Sequence, residues 1–507
     1  MDEHPQRPDE PQREEREPDW NEEETAPPAS KESDESVADD IDEAFQPNPS
    51  RVKSVRIGAG QGFYGDTPDG AIDVARNGDV KYICFDALAE LTMAILQKDR
   101  MRNAEGGYTR DLPVFMRRLL PLARERGIRL ITNAGGMNPR GAATSVRSVA
   151  RELGMHDLRV GVVSGDDITS RIDALTTDGA RLDNMDTHAP LDAVRSRVVF
   201  AVAYLGAAPI VQALQQDADV IVTGRVADAS LFVAPMVHEL GWSFDDWDKL
   251  AAGVVLGHLM ECSGQATGGN FSGDWWNIPD LDRVGYPVCE TRDDGTALLA
   301  KPRDSGGRVS FDTVKQQLLY EVLDPRRYMN PDVVADFTTV QLREVEPDVV
   351  EVRGARGAPR PDTLKVIAGY LDGWMGTAMI GYSWPDAERK ARRAAELIEK
   401  LAAREGLEPL ETLEEVVGVD SLHGDAAPHG DANEVLLRLA ARFSTEEEAS
   451  RFPRVAMPLA LNGPPFIGGS AGPGGARALL GVWPSSVPRQ LVEDHVTVEV
   501  MSAGESS

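Results

Sequence analysis

At 507 residues the chain is too long for one simple core, and its 41 % hydrophobic content is an ordinary globular value. No apolar run reaches the roughly 18–20 residues that a membrane span needs, and the opening MDEHPQRPDE carries no apolar signal segment, so neither a membrane location nor secretion is expected. A net charge of −30 without basic patches excludes a nucleic-acid partner, whose phosphates would be repelled.

Residues 1–50 hold 18 acidic and 4 basic residues among many prolines. Such a segment cannot bury enough apolar surface to offset the entropy of ordering it, which predicts a disordered acidic leader with a solvating role rather than a docking one. Three cysteines (Cys84, Cys262, Cys289) are too few for a disulfide framework and are not spaced for zinc, which suits a reducing, cytoplasmic compartment.

From Val52 onward, short β-rich runs alternate with helical patterns. Candidate strands are Val55–Ile57, Lys81–Phe85, Arg129–Thr132, Arg159–Val163, Arg197–Ala203 and Val220–Thr223, mostly apolar on successive residues as in a parallel sheet covered on both faces. One helix is predicted from Asp111 as cap to Gly127 as stop, and another from Asn138-Pro139 to near Gly154. The alternation predicts an α/β fold, with a doubly wound, mostly parallel sheet over residues 51–285.

Past Gly241 the pattern changes. A helix at Asp245–Cys262 leads into a glycine-rich segment, and Asp-Gly turns predict hairpins at Asp293-Asp294-Gly295 and Leu371-Asp372-Gly373. An amphipathic helix follows at Pro385–Ala403, and a short one at Thr445–Phe452 that Pro453 should end. Residues 286–507 therefore read as a mixed α+β domain with antiparallel hairpins.

The loops after the first-half strands carry the chemistry: Gly58–Asp66, Asp86–Glu90, Asn133–Arg140, Ser164–Asp167 and Gly224–Asp228. In an open parallel sheet these leave from one edge, where ligands bind. Asp66 and Glu90 are the candidates for proton transfer. Substrate-binding candidates are Gly60, Gly62, Gly65, Asn133, Gly136, Asn138, Asp166, Arg225 and Asp228, with Gly268 and Gly269 from the second glycine-rich segment. Gly60-x-Gly62-x-x-Gly65 with Asp86 matches a dinucleotide fingerprint, yet Asp66 would repel a pyrophosphate, so NAD is not favoured. The same loop is open to two other readings, an anion cradle of N–H groups or a plain turn.

The acidic groups permit a divalent metal without requiring one, and no cofactor is demanded by the sequence. Asp167 and Asp228 also sit where helix caps would. Cys262, with His258 one helical turn before it, is a weaker candidate nucleophile. Trp242, Trp247, Trp275 and Trp276 cluster near this segment as either an apolar wall or packing.

The runs VRIGAGQGFYGD, ITNAGGMNPRGA, VVSGDD, AYLGAAPIVQAL, VIVTGRVADASLFVAP, GHLMECSGQATGG, TVKQQLLYEVLDP, RGAPRPDTLKV and LNGPPFIGG together resemble the acyclic terpene utilisation (AtuA) family over roughly residues 52–490. That resemblance implies a place in the breakdown of branched terpenes through coenzyme A thioesters. It also implies a possible separate, small ferredoxin-like partner chain, since some members carry such a domain at the C-terminus. The favoured reading is an enzyme acting on a branched carboxylic acid or its thioester by carboxylate acid–base chemistry. A nicotinamide-dependent oxidoreductase and a non-catalytic subunit are the alternatives. A homo-oligomer is expected from size and class.

Overall fold

The computed structural model describes residues 53–426, 432–470 and 474–505. The acidic leader predicted at 1–50 lies outside the described residues.

Five strands form the parallel centre: β1 (Ser54–Gln61), β2 (Tyr82–Phe85), β3 (Arg129–Thr132), β4 (Arg159–Ser164) and, between β3 and β4, the later strand Val220–Thr223. Every residue of β2 and of Val220–Thr223 is buried, because helices cover both faces and the apolar runs have no solvent side. The expected boundary at residue 285 falls within this layer. Val288–Arg292 pairs antiparallel with β1, and Ala297–Ala300, Val349–Arg353 and Gln341–Glu346 continue outward. Thr497–Ser502 closes the other edge against β4, giving ten strands in a mixed sheet.

A second, antiparallel sheet is organised by the long strand Thr363–Ser383, with Glu434–Phe443, Glu411–Val417, Ile467–Ser470 and Arg477–Pro488. The helices Ala387–Arg404 and Glu446–Val455 pack on it through Ala391, Ile398 and Phe452.

Four sequence expectations change here. Arg197–Ala203 does not join the parallel sheet. As β5 (Val198–Ala203) it pairs antiparallel with Thr363–Ser383, where Gly369 opposite Phe200 leaves room for the ring; a Cβ there would lie 2.1 Å from Phe200 Cε1. Leu371-Asp372-Gly373 is a register shift inside one 21-residue strand, not a hairpin turn. Gly373 takes φ +94, and Asp372 is held by Arg197 at 3.1 Å. Pro453 lies inside Glu446–Val455, near its C-terminal end. Asp111 does not cap the helix Leu112–Arg126 with its side chain; that carboxylate crosses to the β1 loop, accepting from Gln61 Nε2 at 3.1 Å and Gly65 N at 3.0 Å. The Asp293–Gly295 hairpin forms as read, with Gly295 at φ +86.

Candidate functional site

The loops leaving β1, β2, β3, β4 and Val220–Thr223 are tied to one another by hydrogen bonds. Asp86 N donates to the Gln61 carbonyl at 3.0 Å, and Asn133 Nδ2 donates to Asp86 Oδ1 at 2.6 Å while Ala87 N donates to Asn133 Oδ1 at 2.7 Å. Arg225 Nη1 donates to the Leu88 carbonyl at 2.6 Å, and Arg225 N donates to Asp166 Oδ2 at 2.6 Å. Residues separated widely in sequence thus share one rim.

Two parts make up that rim. The first is a cavity of about 910 Å³ between the β1 loop, the segment Cys262–Asn270 and the stretches carrying Tyr286 and Asp304. Asp66 is its clamp. Oδ1 accepts from Thr67 N at 2.7 Å and the Tyr286 hydroxyl at 2.6 Å; Oδ2 accepts from Gly62 N at 3.1 Å and from the Ser263 hydroxyl. Four donors fill the roughly four lone-pair sites of a carboxylate, so Asp66 is saturated in place. Gly62 approaches Ser263 so closely that a Cβ would sit 2.5 Å from its backbone nitrogen. Asp66 and Asp111 therefore occupy the loop's N–H groups as internal anions, which leaves the Gly62, Gly65 and Thr67 donors engaged rather than open to a pyrophosphate.

Replacing Asp66 with alanine strands two N–H groups and two hydroxyls at once. We expect a loss of about 1–3 kcal/mol in urea unfolding, with faster proteolytic cleavage at Cys262–Asn270; unchanged stability would show that the clamp does not hold this segment.

The second part is a buried charge cluster. Arg225, 3 % exposed at its side chain, pairs with Asp228 at 2.8 Å and lies over the Tyr204 ring at 4.1 Å. Burial, and then the Asp228 charge, raises the Asp86 carboxyl well above the usual range, although Arg225 opposes the shift. Burial and the charges of Asp228 and Glu321 do the same to Glu261, and burial raises Asp228 against the pull of Arg225. Asp166 is pushed up to about 7, chiefly by burial. Glu90 goes the other way. Burial would raise it, but Lys365 at 3.1 Å and the Tyr204 hydroxyl at 2.7 Å, with Arg225 beyond, hold it at about 2. It is ionised and a weak base.

A family model described as acyclic terpene utilisation family protein AtuA matches residues 55–498. The chain belongs to the AtuA family. No curated protein and no solved structure matches it. The family's description gives a role in acyclic terpene utilisation, and the remaining site residues divide as follows.

Among the AtuA residues singled out from sequence, Gly62, Asp66 and Gly269 line the cavity, whereas Asn133, Asp166, Arg225, Asp228 and Glu90 belong to the charge cluster or its supports. Gly60 lies inside β1, packed where a Cβ would meet Phe85 at 2.3 Å, and Gly65 turns the loop at φ +100. Gly136, at φ +46, packs on Leu96, and Gly268 packs on Ile278. Asn138 caps the helix Pro139–Glu152, accepting from Gly141 N at 2.9 Å while its amide donates to Gly106 O at 2.9 Å. Asp167 receives Thr169 N at 3.0 Å, as a cap would, but Asp228 pairs with Arg225 instead of capping.

His258 does not serve Cys262. Its Nδ1 faces Glu261 at 3.1 Å and its Nε2 the Gln317 carbonyl at 2.9 Å; burial lowers it to about 4, and burial pushes the Cys262 thiol up. Trp242 is buried, whereas Trp275 and Trp276 are exposed, meeting edge to face at 5.8 Å. Among the described residues, no group of three His, Cys, Asp or Glu side chains is placed to hold a metal ion, and no helix is long and apolar enough to cross a membrane.

Sequence reasoning passed over Ser263, Tyr286, Tyr204 and Lys365, and did not rank Asp86 and Glu261 as site residues. Tyr286 lies 220 residues from Asp66 and Lys365 275 from Glu90, distances over which no local pattern speaks. The GHLMECSG run held the signal for Glu261: an acid at the end of an apolar helix is costly unless it has a use.

Proposed function

We propose that the chain is a catabolic enzyme acting on a branched carbonyl compound, a carboxylic acid or its thioester, by carboxylate acid–base chemistry: isomerisation, or hydration and dehydration. The observation that carries this is the trio Asp86, Asp228 and Glu261, all raised by burial, with Arg225 paired to Asp228 at 2.8 Å and its charge opposing the rise in all three. Three acids around one cation cannot all ionise cheaply, so the group keeps at least one proton near neutrality beside a carboxylate that can accept another. Asp66 and Glu90, engaged as they are, position the loop and the Tyr204–Lys365 pair.

In the proposed step an ionised member takes a proton from the carbon beside the carbonyl. A protonated neighbour returns one, to the γ carbon in isomerisation or to a departing β-hydroxyl, which leaves as water; no electrons leave the substrate. We assign the contact with substrate to Asp228 because its side chain is the most exposed of the three.

The test is deuterium exchange. Full-length chain in D2O with a β-methyl-branched, unsaturated acyl thioester should place deuterium beside the carbonyl, read by mass spectrometry. Asp228→Asn should lower that rate by about a hundredfold, the low end of what a positioned acid or base contributes. Incorporation no faster than the uncatalysed rate rules the reading out.

A further inference from the structure

We infer that the helix-free face of the second sheet is where two copies of this chain meet, face on face. The order of elements creates that face. Thr363–Ser383, Ala387–Arg404, Glu411–Val417, Glu434–Phe443 and Glu446–Val455 run strand, helix, strand, strand, helix, and both helices share one core with the sheet. They bury the odd-numbered residues from Val435 to Phe443, and Ala378, Ile380 and Tyr382 of the long strand. Side chains alternate along a strand, so the residues in between point the other way. The helices that pack on Glu411–Val417 and Glu434–Phe443 are these two, and on the opposite face Leu413 is 52 % and Val417 40 % exposed.

An antiparallel sheet with one wet face normally turns polar residues outward. This face does not follow that pattern. The cross-strand register sets Leu413, Ala440 and Thr377 in one outward row, and Val417, Leu436 and Gly381 in another. The two remaining rows carry charge, but each closes on itself. Glu415 pairs with Arg438 beside Met379, and Glu411 pairs with Arg442 at 3.3 Å beside Met375. Two carboxylates and two guanidiniums cancel, which leaves these rows neutral on a chain of formal charge −30.

Neutrality selects the occupant. A basic partner would be held better almost anywhere else on so acidic a chain, and an acidic one would be repelled by its surroundings. The same face of a second copy matches it in polarity and brings no like-charge contact. Growth along the sheet edge is blocked instead: Glu411–Val417 is the outer strand, and three of its seven residues are glutamates. Three strands over this length cover about 14 by 24 Å. An interface that small dissociates on dilution.

Sedimentation equilibrium of the full-length chain tests this. We expect monomer and dimer in exchange, with a Kd of about 1–100 µM. Raising salt from about 20 to about 300 mM should tighten the dimer at least about threefold, because salt screens the repulsion between two acidic bodies and leaves a neutral contact alone. Leu413→Glu and Leu413→Lys, at an exposed position, should each weaken it at least about thirtyfold by placing like charges on the two facing sheets, with thermal unfolding unchanged. An equimolar mixture of the two variants should associate more tightly than either alone. A monomer at every concentration overturns the inference, as does a dimer that salt loosens, that neither variant weakens, or that mixing does not restore. A complex with a different protein that Leu413→Glu abolishes, while the chain alone stays monomeric, would give the face to that partner and overturn it too.

Discussion

Replacing Arg225 with methionine should cost the folded chain about 3–5 kcal/mol in urea unfolding at neutral pH, the range for removing one partner from a buried ion pair. Methionine nearly matches the length of the side chain but takes away the charge and the fork. The guanidinium holds Asp228 at 2.8 Å and donates to the Leu88 carbonyl at 2.6 Å, and its charge lowers Asp86, Asp228 and Glu261 against burial. Without it those carboxyls rise further, so they bind more protons folded than unfolded over a wider pH span. The deficit is then small below the unfolded carboxyl value of about 4 and grows as pH rises. Arg225→Lys keeps the charge without the fork over Tyr204 and should fall between the two. A loss under about 1 kcal/mol in Arg225→Met, within the range of an ordinary surface pair, would mean the carboxyls are neutral already and are not a reservoir set by this cation.

Much of the parallel centre was legible because burial on both faces leaves its mark residue by residue: Tyr82–Phe85 and Val220–Thr223 have no polar face to confuse the reading. The rim was legible for a related reason, since parallel strands send their following loops to one edge whatever the loops contain. Strand partners were not. Val198–Ala203 reads like any central strand, and what sends it to Thr363–Ser383 is a cross-strand fit between Phe200 and Gly369, 169 positions apart, which no local pattern contains. Asp372-Gly373 and Asp294-Gly295 carry the same dipeptide; only the second turns the chain back, because the first is continuously paired to Arg477–Pro488 on both sides of its shift. The roles of the acids were hidden for a third reason. Asp66 and Asp86 look alike in sequence, yet one is saturated by four donors and the other is buried beside like charges; that difference is made by Ser263, Tyr286 and Asp228, supplied from far along the chain.

Asp166→Asn should remove a pH dependence of up to about 4 kcal/mol from the stability of the fold. This is the linkage value of a carboxyl moved from about 4 to about 7 at roughly 1.4 kcal/mol per unit. The side chain is 2 % exposed, behind Gly224, where a Cβ would strike its oxygen at 2.2 Å, and its Oδ2 receives Arg225 N at 2.6 Å. A carboxyl raised on folding binds more protons folded than unfolded between the two values. Its stabilisation is therefore complete below about pH 4 and is lost as pH climbs through about 7. His258 works against this, because burial lowers it to about 4: protonating it costs stability as pH falls from about 6.5 toward 4. Glu90, held at about 2, titrates below the window. The clean measurement is thus a difference, the unfolding free energy of the chain minus that of Asp166→Asn, taken at each pH. His258 and Glu90 cancel from it, and it should be largest near pH 4 and decline toward pH 8. A flat difference would mean that Asp166 has one protonation state throughout, and that the proton at this rim resides with Asp86, Asp228 and Glu261 alone.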